Sequence, residues 1–173
     1  LQGAFDQVER FLRKLKNDPP PLAELSEVKK SKIKIKPAES NFVIEESQQN
    51  SSVQTLISPD MATCPDCLAE LFNDNDRRYH YPFINCTNCG PRYTIIESLP
   101  YDRPDTTMSE FNMCKNCLSE YNNPDDRRFH AQPNACPKCG PHIWLENISE
   151  RSICANKNEA VEKVIELLLE GKI

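Results

Sequence analysis

The sequence has few glycines, one tryptophan and no long apolar run. Of its 173 residues, 38% are hydrophobic and only four are glycine. Because no stretch of about 18 apolar residues occurs, the sequence excludes a membrane-spanning helix, and no membrane partner is expected. No short apolar stretch follows a basic start, so no signal peptide is predicted and a cytoplasmic location is expected. A single large hydrophobic core is not expected from so few apolar residues, so part of the chain needs another source of stability.

The charges are unevenly spread and indicate a chain of several parts. The net charge is −5, yet residues 1–36 carry nine basic and five acidic residues, whereas residues 61–141 carry eight and eleven. Residues 37–60 contain no Lys or Arg. We therefore predict an α+β, multi-part fold. Its parts are an N-terminal α/β piece over 1–44, a linker over 45–60, a first finger over 61–92, a spacer over 93–113, a second finger over 114–141, and a connector with a helix over 142–173.

The N-terminal part combines a helical pattern with short alternating segments. Apolar residues at helical spacing predict a helix from Asp6 to Lys16, and the prolines at 19–21 end it because proline cannot continue the hydrogen-bond ladder. Leu25 to Val28 and Ile33 to Ile35 are predicted as strands, with a third candidate at 42–44. The polar tract that follows is typical of a linker.

The C-terminal part ends in a second helical pattern. Asn158 is predicted to cap this helix, and Gly171 is placed to end it. Its apolar stripe consists of Ala160, Val161, Val164, Ile165, Leu168 and Leu169.

Eight of the nine cysteines form four Cys-x-x-Cys pairs in a duplicated segment. The pairs are Cys64/Cys67, Cys86/Cys89, Cys114/Cys117 and Cys136/Cys139. Residues 64–91 repeat as 114–141 at an offset of 50, which indicates an internal duplication. The residues kept in both copies include Glu70/Glu120, Arg77/Arg127, Arg78/Arg128, His80/His130 and Gly90/Gly140.

The chemistry of the four pairs favours zinc. Two thiolates separated by two residues can bind one metal from a tight turn, and a second pair completes a tetrahedron. Zinc suits four sulfurs because it has no redox chemistry and no preferred d-electron geometry. Two of the four glycines directly follow the second cysteine of a pair, where the backbone of a zinc knuckle turns sharply. We predict two Zn²⁺ in two small four-cysteine fingers of the zinc-ribbon type; disulfides, a redox-active dithiol and an iron–sulfur cluster are the weaker alternatives.

The sequence leaves the pairing of the cysteines open. A sequential arrangement gives one site from the first two pairs and another from the last two, and the duplication favours it. A nested arrangement would join the outermost pairs and, separately, the inner pairs. His80 and His130 are potential ligands, but four sulfurs already fill each site, so a packing or hydrogen-bonding role is favoured. Cys154 is left as a free thiol.

Two arginine pairs raise the question of nucleic-acid binding. Arg77-Arg78 and Arg127-Arg128 each lie beside aspartates, in the segments 74–76 and 125–126. Phosphate binding needs a surplus of positive charge, and the finger region is net acidic. The sequence therefore predicts no nucleic-acid partner and favours local ion pairs that brace the 18-residue loops. Nearby aromatic residues are expected to fill small cores around the metals.

With these residues in view, the finger region resembles the HypF family, the carbamoyltransferases of nickel–iron hydrogenase maturation. The sequence segments that carry the resemblance run from Ile57 to Leu68, from Tyr81 to Arg92, from Leu99 to Pro104 and from Asp126 to Pro133. The resemblance implies that residues 1–44 are the C-terminal half of an acylphosphatase-like domain of ferredoxin-like fold. It also implies that residues 142–173 begin a YrdC-like domain.

The resemblance further implies an activity for a larger enzyme of which this chain is an internal segment. Such an enzyme uses carbamoyl phosphate and ATP to carbamoylate a cysteine of a HypE-like acceptor protein, as a precursor of cyanide ligands. No catalytic residue of that reaction can be placed in this chain, and only the eight cysteines carry over. The alternative hypothesis is a stand-alone zinc-ribbon module that binds proteins, as a chaperone does, through the aromatic surface near Tyr79 to Phe83.

Overall fold

The chain divides into two compact units, residues 1–54 and 55–173. The structure, a computed structural model, describes residues 2–37, 57, 59–149 and 152–172; for 152–154 and 156 it describes the backbone only. In the described residues no helix is long and apolar enough to span a membrane.

The first unit contains one helix, α1, from Phe5 to Asn17. The predicted helix is confirmed and extends one residue further at each end. Acidic Asp6 lies in its first turn and basic Lys14 and Lys16 lie in its last, which matches the helix dipole. An ion pair from Lys30 to Glu9 on α1 holds the following segment against this helix.

The two predicted strands of this unit are wrong. Residues 19–37 form turns and irregular backbone, and Ile33 and Ile35 are 70% and 78% exposed. Alternating Lys and Ile match the period of a strand, but a strand also needs a paired neighbour, and the described part of this unit provides none. The third candidate, 42–44, lies outside the described residues.

The second unit is built mainly from helices and turns. Helix α2 runs from Pro65 to Leu71 and α3 from Lys115 to Asn122. Each begins directly after the first cysteine of a finger, and Pro65 suits the first helical position because its missing N–H would have no partner there. Between these two helices lie four 3-10 turns, at Thr87–Cys89, Tyr93–Ile95, Arg103–Asp105 and Thr107–Glu110. The described fingers contain no β-ribbon, so the ribbon-type part of the prediction is wrong.

A β-hairpin that the sequence analysis did not predict follows the second finger. Strand β1, Trp144–Asn147, pairs antiparallel with β2, Ser152–Asn156. The register shifts by one residue, since Leu145 pairs with Ala155 but Glu146 pairs with Ile153, and this leaves Cys154 as an extra residue in β2.

The hairpin leads directly into helix α4, Lys157–Leu169, which packs against both strands. The helix begins one residue before Asn158, so the predicted cap lies inside it. Its end is as predicted, because Gly171 has a φ of 69° and the N–H groups of Gly171 and Lys172 donate to Leu168 and Leu167. This is the Schellman arrangement, which satisfies the last carbonyl groups of a helix.

The core of the second unit is small and rich in sulfur. Its buried members are Cys67, Tyr81, Ile84, Cys86, Cys89, Met108 and Ala135, which come from both fingers and the spacer. The expected aromatic cores are only partly present, since Tyr81 is buried but Tyr93 is 67% exposed. With so little apolar surface buried, hydrophobic burial alone contributes little to holding the fingers together.

Candidate metal centres

The eight paired cysteines gather into two groups of four Sγ atoms. The first consists of Cys64, Cys67, Cys86 and Cys89, and the second of Cys114, Cys117, Cys136 and Cys139. The Sγ atoms of each group all lie within 4.8 Å of one another. The cysteines are therefore grouped sequentially along the chain and not in the nested arrangement. The side chain of Cys154 is outside the described part of the structure.

The spacing of the sulfur atoms fits a tetrahedral metal site. In the first group, Cys86 Sγ lies 3.6 Å from Cys64 Sγ and 3.9 Å from Cys89 Sγ. In the second group three such distances are 3.6, 3.7 and 3.8 Å. Four sulfurs at about 2.3 Å from a central zinc ion would be about 3.8 Å apart. A disulfide needs about 2.05 Å, and all eight cysteines are free.

Both groups are shielded from solvent by the surrounding chain. Cys67, Cys86 and Cys89 of the first group and Cys117 of the second are completely buried. The backbone N–H of Cys64 donates to Cys89 Sγ at 3.3 Å, and that of Cys67 donates to Cys64 Sγ at 3.5 Å. Such N–H···S bonds stabilise thiolates and orient them as ligands.

The proton affinities of the sulfurs differ strongly within each group. A hydrogen bond from the Cys67 thiol lowers the pKa of Cys86 to about 4 against the effect of burial, and the same bond raises the pKa of Cys67. In the second group, burial raises the pKa of Cys117 to about 12. Burial also acts to raise the pKa of Cys114, but hydrogen bonds from Cys117 and its neighbours lower it to about 6. The sulfurs thus share protons that a divalent cation would displace.

The side chains of the first arginine pair form ion pairs with the second finger and not with the neighbouring aspartates. Arg77 Nη2 and Arg78 Nη2 lie 2.5 and 2.6 Å from Glu120 Oε2. Arg77 Nη1 also donates to Cys117 Sγ at 3.3 Å. The local Asp76 instead accepts a backbone N–H, that of Arg78, at 2.7 Å. The predicted local ion pairs are therefore wrong.

The second arginine pair makes the same contacts in the opposite direction. Arg127 and Arg128 both form ion pairs with Glu70 of the first finger. Arg127 Nη1 donates to Cys67 Sγ at 2.8 Å, and the Asp126 carboxylate accepts the backbone N–H of Arg128. Glu70 and Glu120 follow Cys67 and Cys117 by three residues on α2 and α3. Residues three apart share a helix face, so one arginine can reach both the carboxylate and the sulfur.

Further bonds of the arginine pairs reach the backbone of the opposite finger. Arg78 Nε donates to the carbonyl oxygen of Ala135 at 2.8 Å, and Arg128 Nε donates to that of Asn85 at 3.1 Å. The backbone N–H of Thr87 donates to the Arg127 carbonyl oxygen at 3.0 Å. The two arginine Nε contacts that join the fingers thus repeat at the offset of the duplication, whereas the Thr87 contact does not, because the equivalent Pro137 has no N–H.

The two histidines of the repeat lie outside the sulfur groups. His80 and His130 have φ angles of 54° and 49°, and their backbone N–H groups donate to the carbonyl oxygens of Leu71 and Tyr121. The His80 ring stacks on Tyr79 with 3.8 Å between centroids. Their part is to close the turn after α2 and α3, in agreement with the packing role favoured from the sequence.

The two glycines after the cysteine pairs are required for different reasons. Gly90 has φ 72° and ψ −178°, a conformation that only glycine adopts without strain. A Cβ on Gly140 would lie 2.5 Å from the Cβ of Ala135 and closer still to the hydroxyl of Tyr81 from the first finger. The prediction of a sharp turn thus applies to Gly90, whereas Gly140 permits close contact between fingers.

Arg103 is a buried residue that the sequence analysis did not single out. Its Nη1 donates to the carbonyl oxygens of Gln132 and Asn134 at 2.6 and 3.0 Å, and its Nη2 donates to that of Phe111 at 2.8 Å. The spacer is thereby fastened to the second finger. The only sequence signal was its place in the segment Leu99 to Pro104, which carried the family resemblance.

Comparison with known proteins identifies the two cysteine segments. The family described as "HypF finger" matches residues 63–96 and 113–146. These two segments are HypF fingers. Both HypF fingers include all four cysteines of their sulfur group, and the arginine pairs and their glutamate partners lie within the matched ranges.

Curated relatives of these HypF fingers are much longer proteins. The "Probable carbamoyltransferase HypF" of Methanocaldococcus jannaschii is 48% identical over 174 residues, which covers 100% of this chain and 22% of the relative. "Carbamoyltransferase HypF2" of Cupriavidus necator is 48% identical over 111 residues, 64% of this chain and 14% of the relative. The chain therefore spans about a fifth or less of the length of these relatives.

A solved HypF structure is similar to this chain over nearly all of its length. The crystal structure of T. kodakarensis HypF superimposes with a TM-score of 0.78 and is 44% identical. The match covers 99% of this chain and 21% of the solved chain. The HypF fingers and the segments that flank them thus occur together in a known structure.

Proposed function

We propose that each HypF finger of this chain binds one Zn²⁺ through its four cysteines. The observation that carries the proposal is the separation of 3.6 to 3.9 Å between neighbouring sulfurs in two buried groups. Each group supplies four sulfurs and leaves no position for substrate, which is typical of a structural site. Zinc binding would contribute on the order of 10 kcal/mol per site to folding, which offsets the small hydrophobic core.

In its parent protein, the chain serves as the zinc-binding segment of a carbamoyltransferase. The names of the relatives and the match of the M. jannaschii protein along the whole of this chain support this proposal. By the family resemblance, the whole enzyme uses carbamoyl phosphate and ATP in the cytoplasm, and its acceptor is a HypE-like protein. The role of this segment is to hold two metals and to position the flanking catalytic domains.

The division into domains is part of the same proposal. Residues 1–44 are assigned to the end of an acylphosphatase-like domain, 45–60 to a linker, and 142–173 to the start of a YrdC-like domain. The fingers occupy 61–92 and 114–141, separated by the spacer over 93–113. The match of one relative along the whole chain supports continuity of these parts in one protein.

Metal analysis tests the zinc sites. The purified chain is expected to contain two zinc ions, measured by inductively coupled plasma mass spectrometry. Cys154→Ser is the matched control and should keep both ions, because each sulfur group has four ligands without Cys154. The double variant Cys64→Ser/Cys86→Ser should lose at least one zinc ion. Protein that carries no zinc after purification with zinc present would refute the proposal.

A chimera tests the assignment to the enzyme. We expect that this chain, exchanged for the matching region of the M. jannaschii relative, supports carbamoyl phosphate-dependent carbamoylation of the acceptor protein. The same chimera with Cys64→Ser/Cys86→Ser should lose this activity. A zinc-loaded, folded chimera without activity would instead favour a protein-binding module.

A further inference from the structure

We propose that the arginine pair of each finger holds the metal site of the other finger. Arg77 and Arg78 are donors to the second sulfur group through Cys117, and Arg127 and Arg128 are donors to the first through Cys67. We call these four residues the arginine clamp. The inference rests on the proposed zinc sites and adds positioning residues to them.

The charge of a loaded site explains why it needs these donors. Four thiolates and one Zn²⁺ carry a net charge of about −2, and a buried anion is unfavourable unless hydrogen bonds or cations compensate it. Arg78 and Arg128 are only 1% and 3% exposed, so they too need anionic partners. Two arginines and one glutamate together add a net charge of about +1 beside each site, and the arginine hydrogen bonds to sulfur are charge-assisted.

The glutamates fix the direction of the arginine side chains. Arg78 Nη1 and Nη2 bind Glu120 Oε1 and Oε2 at 3.1 and 2.6 Å, a two-pronged contact that a planar guanidinium suits. Hydrogen bonds from Arg78 and Arg77 lower the pKa of Glu120 to about 2, although burial acts to raise it. The carboxylate therefore stays ionised at neutral pH. With Arg77 Nη2 bound to Glu120, Arg77 Nη1 donates to Cys117 Sγ at 3.3 Å.

The duplication provides an internal repeat of the observation. In one direction the donor, the carboxylate and the sulfur belong to Arg77, Glu120 and Cys117. In the other direction they belong to the equivalent residues of the repeat, Arg127, Glu70 and Cys67. The same crossed contact arises from two separate stretches of sequence. A chance contact of flexible surface arginines would not be expected twice with equivalent partners, because such side chains have many alternative rotamers.

Coupling between the two metals follows from this geometry. Each arginine pair lies in the loop between the two cysteine pairs of its own finger. When a finger releases its metal and its loop loosens, the other finger loses its donors. Because binding free energies are reciprocal, each metal is expected to strengthen the binding of the other.

The test uses the whole chain with both sites loaded with zinc. Arg127→Met and Arg77→Met are compared during challenge with a chelator, while an alkylating reagent labels each thiol as it becomes free. Peptide mapping by mass spectrometry then assigns the labels to the two sulfur groups. Loss of hydrogen bonds around a metal ligand lowers metal affinity by about 10- to 100-fold.

The expected pattern is crossed. Arg127→Met should speed labelling of Cys64, Cys67, Cys86 and Cys89 by at least about tenfold, before the cysteines of its own finger are labelled. Arg77→Met should instead speed labelling of the second sulfur group, before the cysteines of the first group are labelled. In the Co²⁺-loaded chain, each variant should also shift the sulfur-to-cobalt absorption of the opposite site, which a purely structural role would not change.

Matched variants make the outcome decisive. Arg127→Lys keeps the charge but donates from a single point, so its labelling rate should lie between those of the unmodified chain and Arg127→Met. Arg13→Met, on the exposed surface of α1, should have no effect. Faster labelling of the substituted finger alone, or no change in either, would overturn the clamp while leaving the zinc sites intact. An unmodified chain without zinc would overturn both proposals.

Discussion

At the scale of single residues, Tyr81 and Gly140 mark the closest contact between the fingers. The Tyr81 side chain is 3% exposed, and its hydroxyl is buried without a hydrogen-bond partner among the described residues. It lies against Gly140, where any larger residue would collide with it. The duplication has Ala131 at the position equivalent to Tyr81, so the two fingers are not identical at this contact.

This contact predicts a specific response to substitution. Gly140→Ala should lower the free energy of unfolding by about 1–3 kcal/mol, because overpacking forces the backbone or Tyr81 to move. Tyr81→Phe should be neutral or stabilising, since it removes an unpartnered buried hydroxyl, and it should partly rescue Gly140→Ala. Thermal or urea unfolding of the zinc-loaded chain measures these effects.

The control for this prediction is Gly3→Ala. A Cβ on Gly3 would meet Val8 Cγ2 at 3.8 Å, an ordinary contact, so stability should not fall. Equal stability of Gly140→Ala and the unmodified chain would contradict the packing argument. Additive effects of the Gly140 and Tyr81 substitutions would show that the clash involves Ala135 alone.

At the scale of elements, sequence periodicity predicts helices better than strands in this chain. Helices α1 and α4 have apolar residues on one face, and proline after α1 and Gly171 after α4 mark their ends. The segment with Ile33 and Ile35 has the correct period for a strand, but pairing depends on a partner that local sequence does not specify.

The short elements of the second unit show a related limit. The β-hairpin was missed because its strands have four and five residues and a bulge interrupts their alternation. Metal-ligand spacing predicted the four cysteine pairs, since Cys-x-x-Cys constrains geometry directly, and the duplication favoured the sequential grouping found in the structure. The partners of the arginine pairs were not predicted, because nearby aspartates offered a simpler choice. The spacing of Cys67 and Glu70 on one helix face was the signal available.

At the scale of the whole molecule, the second unit is two fingers that share one core. Tyr81 and Ile84 of the first finger pack with Ala135 of the second, and Met108 of the spacer joins them. Arg103 fastens the same spacer to the second finger. Because three of the seven buried core residues are cysteines of the first sulfur group, removing the metals would leave little apolar contact to keep either finger folded.

We therefore expect chelation to unfold residues 61–141 as one cooperative region. Hydrogen exchange followed by mass spectrometry, at increasing chelator concentration, should show peptides of both fingers losing protection together. Peptides of α1, which lie in the other compact unit, serve as the internal control and should not change. Loss of protection at two separate chelator concentrations would mean that the fingers fold independently, and native protection without metal would show that side-chain packing alone is sufficient. A single transition is expected because the shared core and the crossed arginine contacts connect the stability of each finger to that of the other.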